Sequence, residues 1–211
     1  MPMPTATKAY LKFKKELAAA RTIVSRVPYA QNNSALHELK VRSLLLLSHS
    51  AIEEYLEDLS RQMLTEAVDQ LVNNRNVTIS LLALLGYHKS NFAKKYRYPL
   101  NTPSNYDAFV ELAKEAFGKH KNSIDSNHGI REKNIRGMLH PIGIDIDDFD
   151  NVLVATLDSF GQKRGAVAHR IGARTSETRS SLTSELSTIV FLLKKLDGTA
   201  SQCPKKVVIT L

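Results

Sequence analysis

The chain has 211 residues, of which 43% are hydrophobic and 24% charged, a composition that favours one globular domain with its own core over a disordered polymer. A single cysteine, Cys203, excludes an intramolecular disulfide and a thiolate-rich zinc centre. The charged N-terminus and the lack of a long apolar run argue against a signal peptide or a membrane span, so a soluble, cytoplasmic protein with no membrane partner is expected.

The net charge of +8 is unevenly placed. Residues 1–30, 81–141 and 161–195 each carry +5, while residues 142–160 carry −5. Clustered positive charge favours polyanions, nucleic acid foremost. With 9 Gly and 7 Pro, tight turns are too few for a sandwich or a barrel.

The first predicted element is an amphipathic helix over residues 7–27, with Tyr10, Phe13, Leu17, Ala20 and Ile23 at steps of three and four. Pro28 ends it. Asn32, Asn33 and Ser34 offer caps for a second helix, from about Ser34 to Leu71, which contains no Gly or Pro. Its apolar stripe runs through Val41, Leu44, Leu45, Ile52, Leu56, Leu59 and Met63. Beside it lies a polar row of Arg42, His49, Glu53 and Ser60, within ~40° of one another at 100° per residue. That row is either an exposed edge or a polar seam where helices or subunits meet.

Residues 72–105 read as irregular, around a short apolar helix from Ile79 to Leu85. Within this stretch Lys94, Lys95 and Arg97 alternate with tyrosines, which suits either a surface loop or contact with a nucleic acid. Helices follow over Tyr106–His120 and Ile130–Leu139. Asp147 or Asp148 can open the next, which runs to Phe160. The aspartates at 145–150 lack the Gly and Glu of a calcium loop. The segment GQKRGAVAHRIGARTS follows, before a last helix from Ser176 to Leu196 and a loose tail over 199–211. The fold class is therefore all-α, a helical bundle around one long central helix, in one domain with its core over about 36–196.

Three arrangements could carry chemistry. His128 and His140 lack a third ligand at metal spacing, so they read as surface or capping residues; no metal and no cofactor is expected. Arg136 and His140, four apart on a short helix, could hold a phosphate. Arg164 and His169, with four residues between them, are the third. On an ideal helix they diverge by ~140°, so convergence would need the bend that Gly165 and Gly172 permit. A guanidinium grips phosphate oxygens in a fork, and an imidazole moves protons near neutral pH. Together they suit RNA cleavage by attack of the 2′-OH on the adjacent phosphorus.

The Arg164–His169 spacing between two late helices, together with LLLLSHSAIEEYLEDLSRQ (Leu44 to Gln62) in the long helix, resembles the HEPN superfamily of small α-helical ribonuclease domains, in particular its RiboL-PSP-HEPN branch. The resemblance covers about residues 36–196. It implies a dimer that brings two motif copies together, and metal-independent RNA cleavage leaving 2′,3′-cyclic phosphate and 5′-OH ends. It also implies a role as a toxin or antiphage effector, with an antitoxin or regulatory protein as possible partner. Arg164 and His169 match the motif, and Glu53 matches the acidic residue of the long helix that often supports the site. Lys163, Arg170, Arg174, Lys94, Lys95 and Arg97 are the candidate RNA contacts. Gly165 departs from the polar residue, often Asn, that usually follows the motif arginine. That departure keeps two alternatives open: a non-catalytic RNA-binding module, or a helical dimerisation protein.

Overall fold

The computed structural model describes residues 6–32, 34–88, 103–149, 151–168 and 177–211. In chain order the elements are α1 (Lys8–Arg21), α2 (Ala35–Asn74), β1 (Asn76–Thr78), α3 (Ile79–Tyr87), α4 (Pro103–Asp125), α5 (Glu132–Leu139), α6 (Ile146–Phe149), α7 (Asn151–Ala168), α8 (Arg179–Ala200) and β2 (Val207–Thr210). The all-α expectation holds. The 40-residue α2 is the spine, and α1, α3, α4, α5, α7 and α8 pack against it.

The long helix forms because nothing in it opposes helicity. Ser34 caps its start by accepting the His37 N–H at 3.2 Å. Arg75, at φ 55°, ends it in the left-handed region and turns the chain into β1. Its buried stripe, from Val41 through Leu44, Ile52, Leu56, Leu59 and Met63 to Leu71, matches the sequence periodicity. Tyr55 packs edge-on to Tyr10 and tilted against Phe13 of α1, with ring centroids 5.9 and 5.3 Å away.

Three expectations need correcting. The N-terminal helix stops at Arg21 and tightens into a 3₁₀ turn over Thr22–Val24, rather than running to residue 27. The tail is ordered, not loose: α8 extends to Ala200, a 3₁₀ turn covers Cys203–Lys205, and β2 pairs antiparallel with β1 through Asn76↔Thr210 and Val77↔Ile209. The helix before the motif does not break at Phe160; α7 carries Gly161 and Gly165 through to Ala168.

The start of the chain is fastened to its end by one buried carboxylate. Asp197, 2% exposed on α8, accepts the Thr7 backbone N–H at 2.9 Å, the Thr7 hydroxyl, and the Tyr55 hydroxyl at 3.3 Å. Thr7 in turn caps α1 by accepting the Tyr10 N–H at 3.1 Å. Burial and the Asp197 charge hold the Tyr55 hydroxyl well above the ordinary tyrosine range. At the other end of α8, Arg179 lies over the Tyr29 ring at 4.3 Å and donates to the Val27 carbonyl at 2.8 Å. These contacts clamp α8 across the α1–α2 pair.

Removing the carboxylate strands the Thr7 N–H and hydroxyl in a buried position and leaves the Tyr55 hydroxyl only the Leu193 carbonyl, at 3.3 Å. Asp197→Ala is expected to cost about 3 kcal/mol, which lowers the melting temperature by roughly 6–12 °C in a domain of this size. Calorimetry or thermal circular dichroism checks this; an unchanged melting temperature would mean that the network contributes nothing.

Candidate functional site

The polar row of α2 does not behave as one unit. Ser60 turns into the core, where its hydroxyl donates to the Met138 carbonyl at 2.9 Å and stands 3.0 Å from Nε2 of the fully buried His120. With the serine proton given to Met138, Nε2 of His120 must be the donor to Ser60, so Nδ1 is the unprotonated nitrogen. Ser60 and His120 thus tie α2, α4 and α5 together.

His49 and Glu53, one turn apart, lie toward the other end of the row. His49 is 3% exposed. Burial, reinforced by the Arg164 charge, pushes its pKa down to about 4. Its Nδ1 lies 3.7 Å from a Glu53 oxygen. At that distance, and with the imidazole neutral at pH 7, this is a contact rather than an ion pair. Glu53 is half-buried, and desolvation raises its pKa. A donor interaction from the Gly129 N–H and the charges of Arg164 and His128 pull the other way, while Glu57 adds to the rise.

The loop before α5 is stapled to α2 and to α7. Asn127 donates to Glu57 at 2.9 Å and to the Gly129 carbonyl at 3.2 Å, and Asn134 holds the Asn127 amide oxygen at 2.7 Å. Gly129 has φ +132°, a conformation an L-residue rarely adopts. On the α7 side, Arg131 pairs with Asp158 and the Glu132 N–H donates to it at 3.2 Å. A Cβ on Gly161 would lie 3.1 Å from the Arg131 side chain. Glycine there lets the loop lie close on α7, one turn before Arg164.

Arg164 is exposed on α7, and its charge acts on both His49 and Glu53. Gly165 is helical, and a Cβ there would meet nothing within 4 Å. Packing therefore does not demand glycine at 165, and the expected bend does not occur there. Lys163, expected as an RNA contact, is bound to Glu177 at 3.1 Å and to Glu185 at 2.8 Å, joining α7 to the start of α8. Arg136 is likewise engaged: it grips Asp147 with two bonds and Glu132 with a third. His169, Arg170, Arg174, Lys94, Lys95 and Arg97 lie outside the described residues.

The structure thus brings together Arg164 and Glu53, which the sequence singled out, with His49, His128, Asn127 and Gly129, which it did not assign to the site. The signal for the last three was the Asn-His-Gly triplet itself: an amide and a glycine flanking an imidazole can anchor the loop on both sides of it. Among the described residues, no group of three or more His, Cys, Asp or Glu side chains is placed to hold a metal ion. No described helix is long and apolar enough to cross a membrane.

His49 and His120 both bind a proton only near pH 4 when folded, whereas an unfolded histidine does so near pH 6.5. Between those values the unfolded chain holds more protons. Stability is therefore full above about pH 6.5 and is lost as pH falls toward 4, by about 2–3 kcal/mol for each histidine. Urea titrations from pH 7 to 4.5 should show this fall, and His49→Gln should remove roughly half of it. A flat profile in the parent protein would contradict the buried, neutral assignment.

A family model described as RiboL-PSP-HEPN matches residues 9–201. No curated protein and no solved structure matches the chain at a significant level. The matched span runs from α1 to the end of α8 and includes both the Glu53 face of α2 and the Arg164 turn of α7. The chain belongs to the RiboL-PSP-HEPN family.

Proposed function

We propose that this chain is a metal-independent endoribonuclease in which His169 takes the 2′-OH proton and Arg164 binds the phosphate. The observation that carries this reading is the meeting of α7 and α2: the exposed Arg164 guanidinium acts on the half-buried Glu53 carboxylate and on the buried His49. A cation that is open to solvent and lies within the field of a carboxylate suits a phosphodiester, because it keeps bonding capacity for the phosphate oxygens. Glu53 is a positioning residue in this account. It acts on Arg164 through its charge without touching the substrate.

The reading extends to a homodimer resting partly on the last two helices, α7 and α8, with two Arg–His pairs related by a two-fold axis. Exposed apolar side chains support an interface: Val152 on α7 and Phe191 on α8, each about three-fifths exposed, and Leu39 and Leu46 beside the His49–Glu53 row of α2. A role as a toxin or antiphage effector held in check by an antitoxin or regulatory protein belongs to the same proposal.

A second reading, a non-catalytic RNA-binding module, is favoured by Gly165. The family's usual polar side chain is missing at a position where space for one exists.

One experiment separates the two. Protein whose mass by light scattering equals two chains is incubated with single-stranded RNA in EDTA, and the ends are analysed. Cleavage leaving 2′,3′-cyclic phosphate is expected. His169→Ala should abolish it with little loss of RNA affinity, and Arg164→Ala should reduce both. RNA bound but uncut by the parent protein establishes the second reading. RNA neither bound nor cut overturns both.

A further inference from the structure

Two imidazoles away from the Arg164–Glu53 site each bury a nitrogen that nothing meets. His120 on α4 is fully enclosed. Its Nε2 donates to Ser60, which leaves a bare lone pair on Nδ1, and that atom is buried with no hydrogen-bond partner among the described residues. His88, at the C-terminal cap of α3, has its Nε2 buried and equally unpartnered. The two rings lie with centroids 5.5 Å apart and planes inclined at 61°. A buried polar atom left unmet is costly, and here two occur in adjacent rings.

The donors define the ligand. Burial lowers the pKa of both rings, that of His120 to about 4, so both are neutral at pH 7. Neutral imidazole lone pairs do not attract anions, and calcium or magnesium ions take oxygen ligands; imidazole suits the late first-row transition metals. Zn²⁺ has no geometric preference of its own and holds imidazole nitrogens at about 2.0–2.1 Å, which places the centroids of two rings on one ion about 5–6 Å apart. The observed 5.5 Å falls in that range. Ser60, whose own proton goes to the Met138 carbonyl at 2.9 Å, fixes the tautomer and orientation of the His120 ring, as the outer partner of a metal-ligating histidine does. Lys119, the cation acting on His88, is held by Glu115 at 2.7 Å, which offsets its charge. Tyr87, edge-on to both rings at 5.1 and 6.3 Å and 44% exposed, marks the side that opens to solvent.

We infer that His88 Nε2 and His120 Nδ1 together bind one Zn²⁺ ion where α2, α3, α4 and α5 meet, with water completing its coordination. The ion joins the end of α3 to α4 and takes no part in RNA cleavage, so the inference stands apart from the ribonuclease reading. With two protein ligands instead of the four of a closed structural site, binding is reversible and EDTA strips it.

The chain has 7 histidines, so the test must separate this pair from zinc held at the surface, and proton competition does so. Two exposed imidazoles with the ordinary pKa near 6.5 lose about twentyfold in zinc affinity between pH 7 and 5.8, whereas a pair with lowered pKa values keeps its lone pairs. Full-length protein, stripped with EDTA and dialysed free of it, is titrated with ZnCl₂ by calorimetry at both pH values, and the ring nitrogens are followed by ¹⁵N NMR. The inference expects one equivalent of Zn²⁺, with the His88 Nε2 and His120 Nδ1 signals moving together, and an affinity that falls by less than about threefold at pH 5.8. His88→Gln and His88→Ala should bind at least about tenfold more weakly. Zinc that moves only the signals of other histidines, an affinity unchanged in the His88 variants, or no saturable binding each overturns it. The ring-nitrogen signals of the parent protein decide the matter even should a variant fail to fold.

Discussion

A carboxylate half-withdrawn from water on the flank of the central helix is the constraint to which the site conforms. Glu53 pays for its burial in raised proton affinity, and an ionised carboxylate in that position must be met by donors and cations. The chain meets it from two directions. The loop before α5 offers the Gly129 N–H and His128, and α7 offers Arg164. Each is held by contacts lying outside the site: Asn127 on Glu57, Arg131 on Asp158, and the glycine-enabled approach at Gly161. The site is consequently rigid where its supports are, on α2 and α7, while its open side is the Arg164 surface.

Differences in burial give the histidines different environments. His49 and His120 are enclosed, and desolvation keeps them neutral at pH 7. They are structural groups whose main consequence is acid lability. His128, on the loop before α5, is exposed to solvent. Burial, rather than residue type, sorts the three.

Much of this was legible in the sequence, for physical reasons. A forty-residue helix without Gly or Pro announces itself by its apolar period, and the polar row on its flank follows from the same geometry. Arg164 and Glu53 stood out through the Arg-x4-His spacing and the likeness of the long helix to the HEPN pattern. The remainder depended on tertiary contacts. β1 has three residues and all four of β2 are exposed, so neither shows the alternation of a strand until they pair. The sequence predicts a helix ending at Phe160 and a bend that Gly165 permits, yet α7 passes through Gly161 and Gly165 to Ala168. At Gly161 the missing side chain is what lets the loop lie on the helix. Lys163 looked like a free cation until folding placed Glu177 and Glu185 around it. His128 was visible but had no assigned neighbour, since the loop that carries it meets α2 some seventy residues away in the chain.

The central claim is that Glu53 organises the site through its charge, and Glu53→Gln isolates that charge by keeping shape and volume. The decisive measurement is kcat/KM for RNA cleavage in EDTA from pH 5 to 8 for the parent and this variant. The account predicts a loss of about ten- to a hundredfold with an altered pH profile, because Arg164 loses the negative charge that accompanies it at the site. Superimposable profiles across the whole range would contradict it.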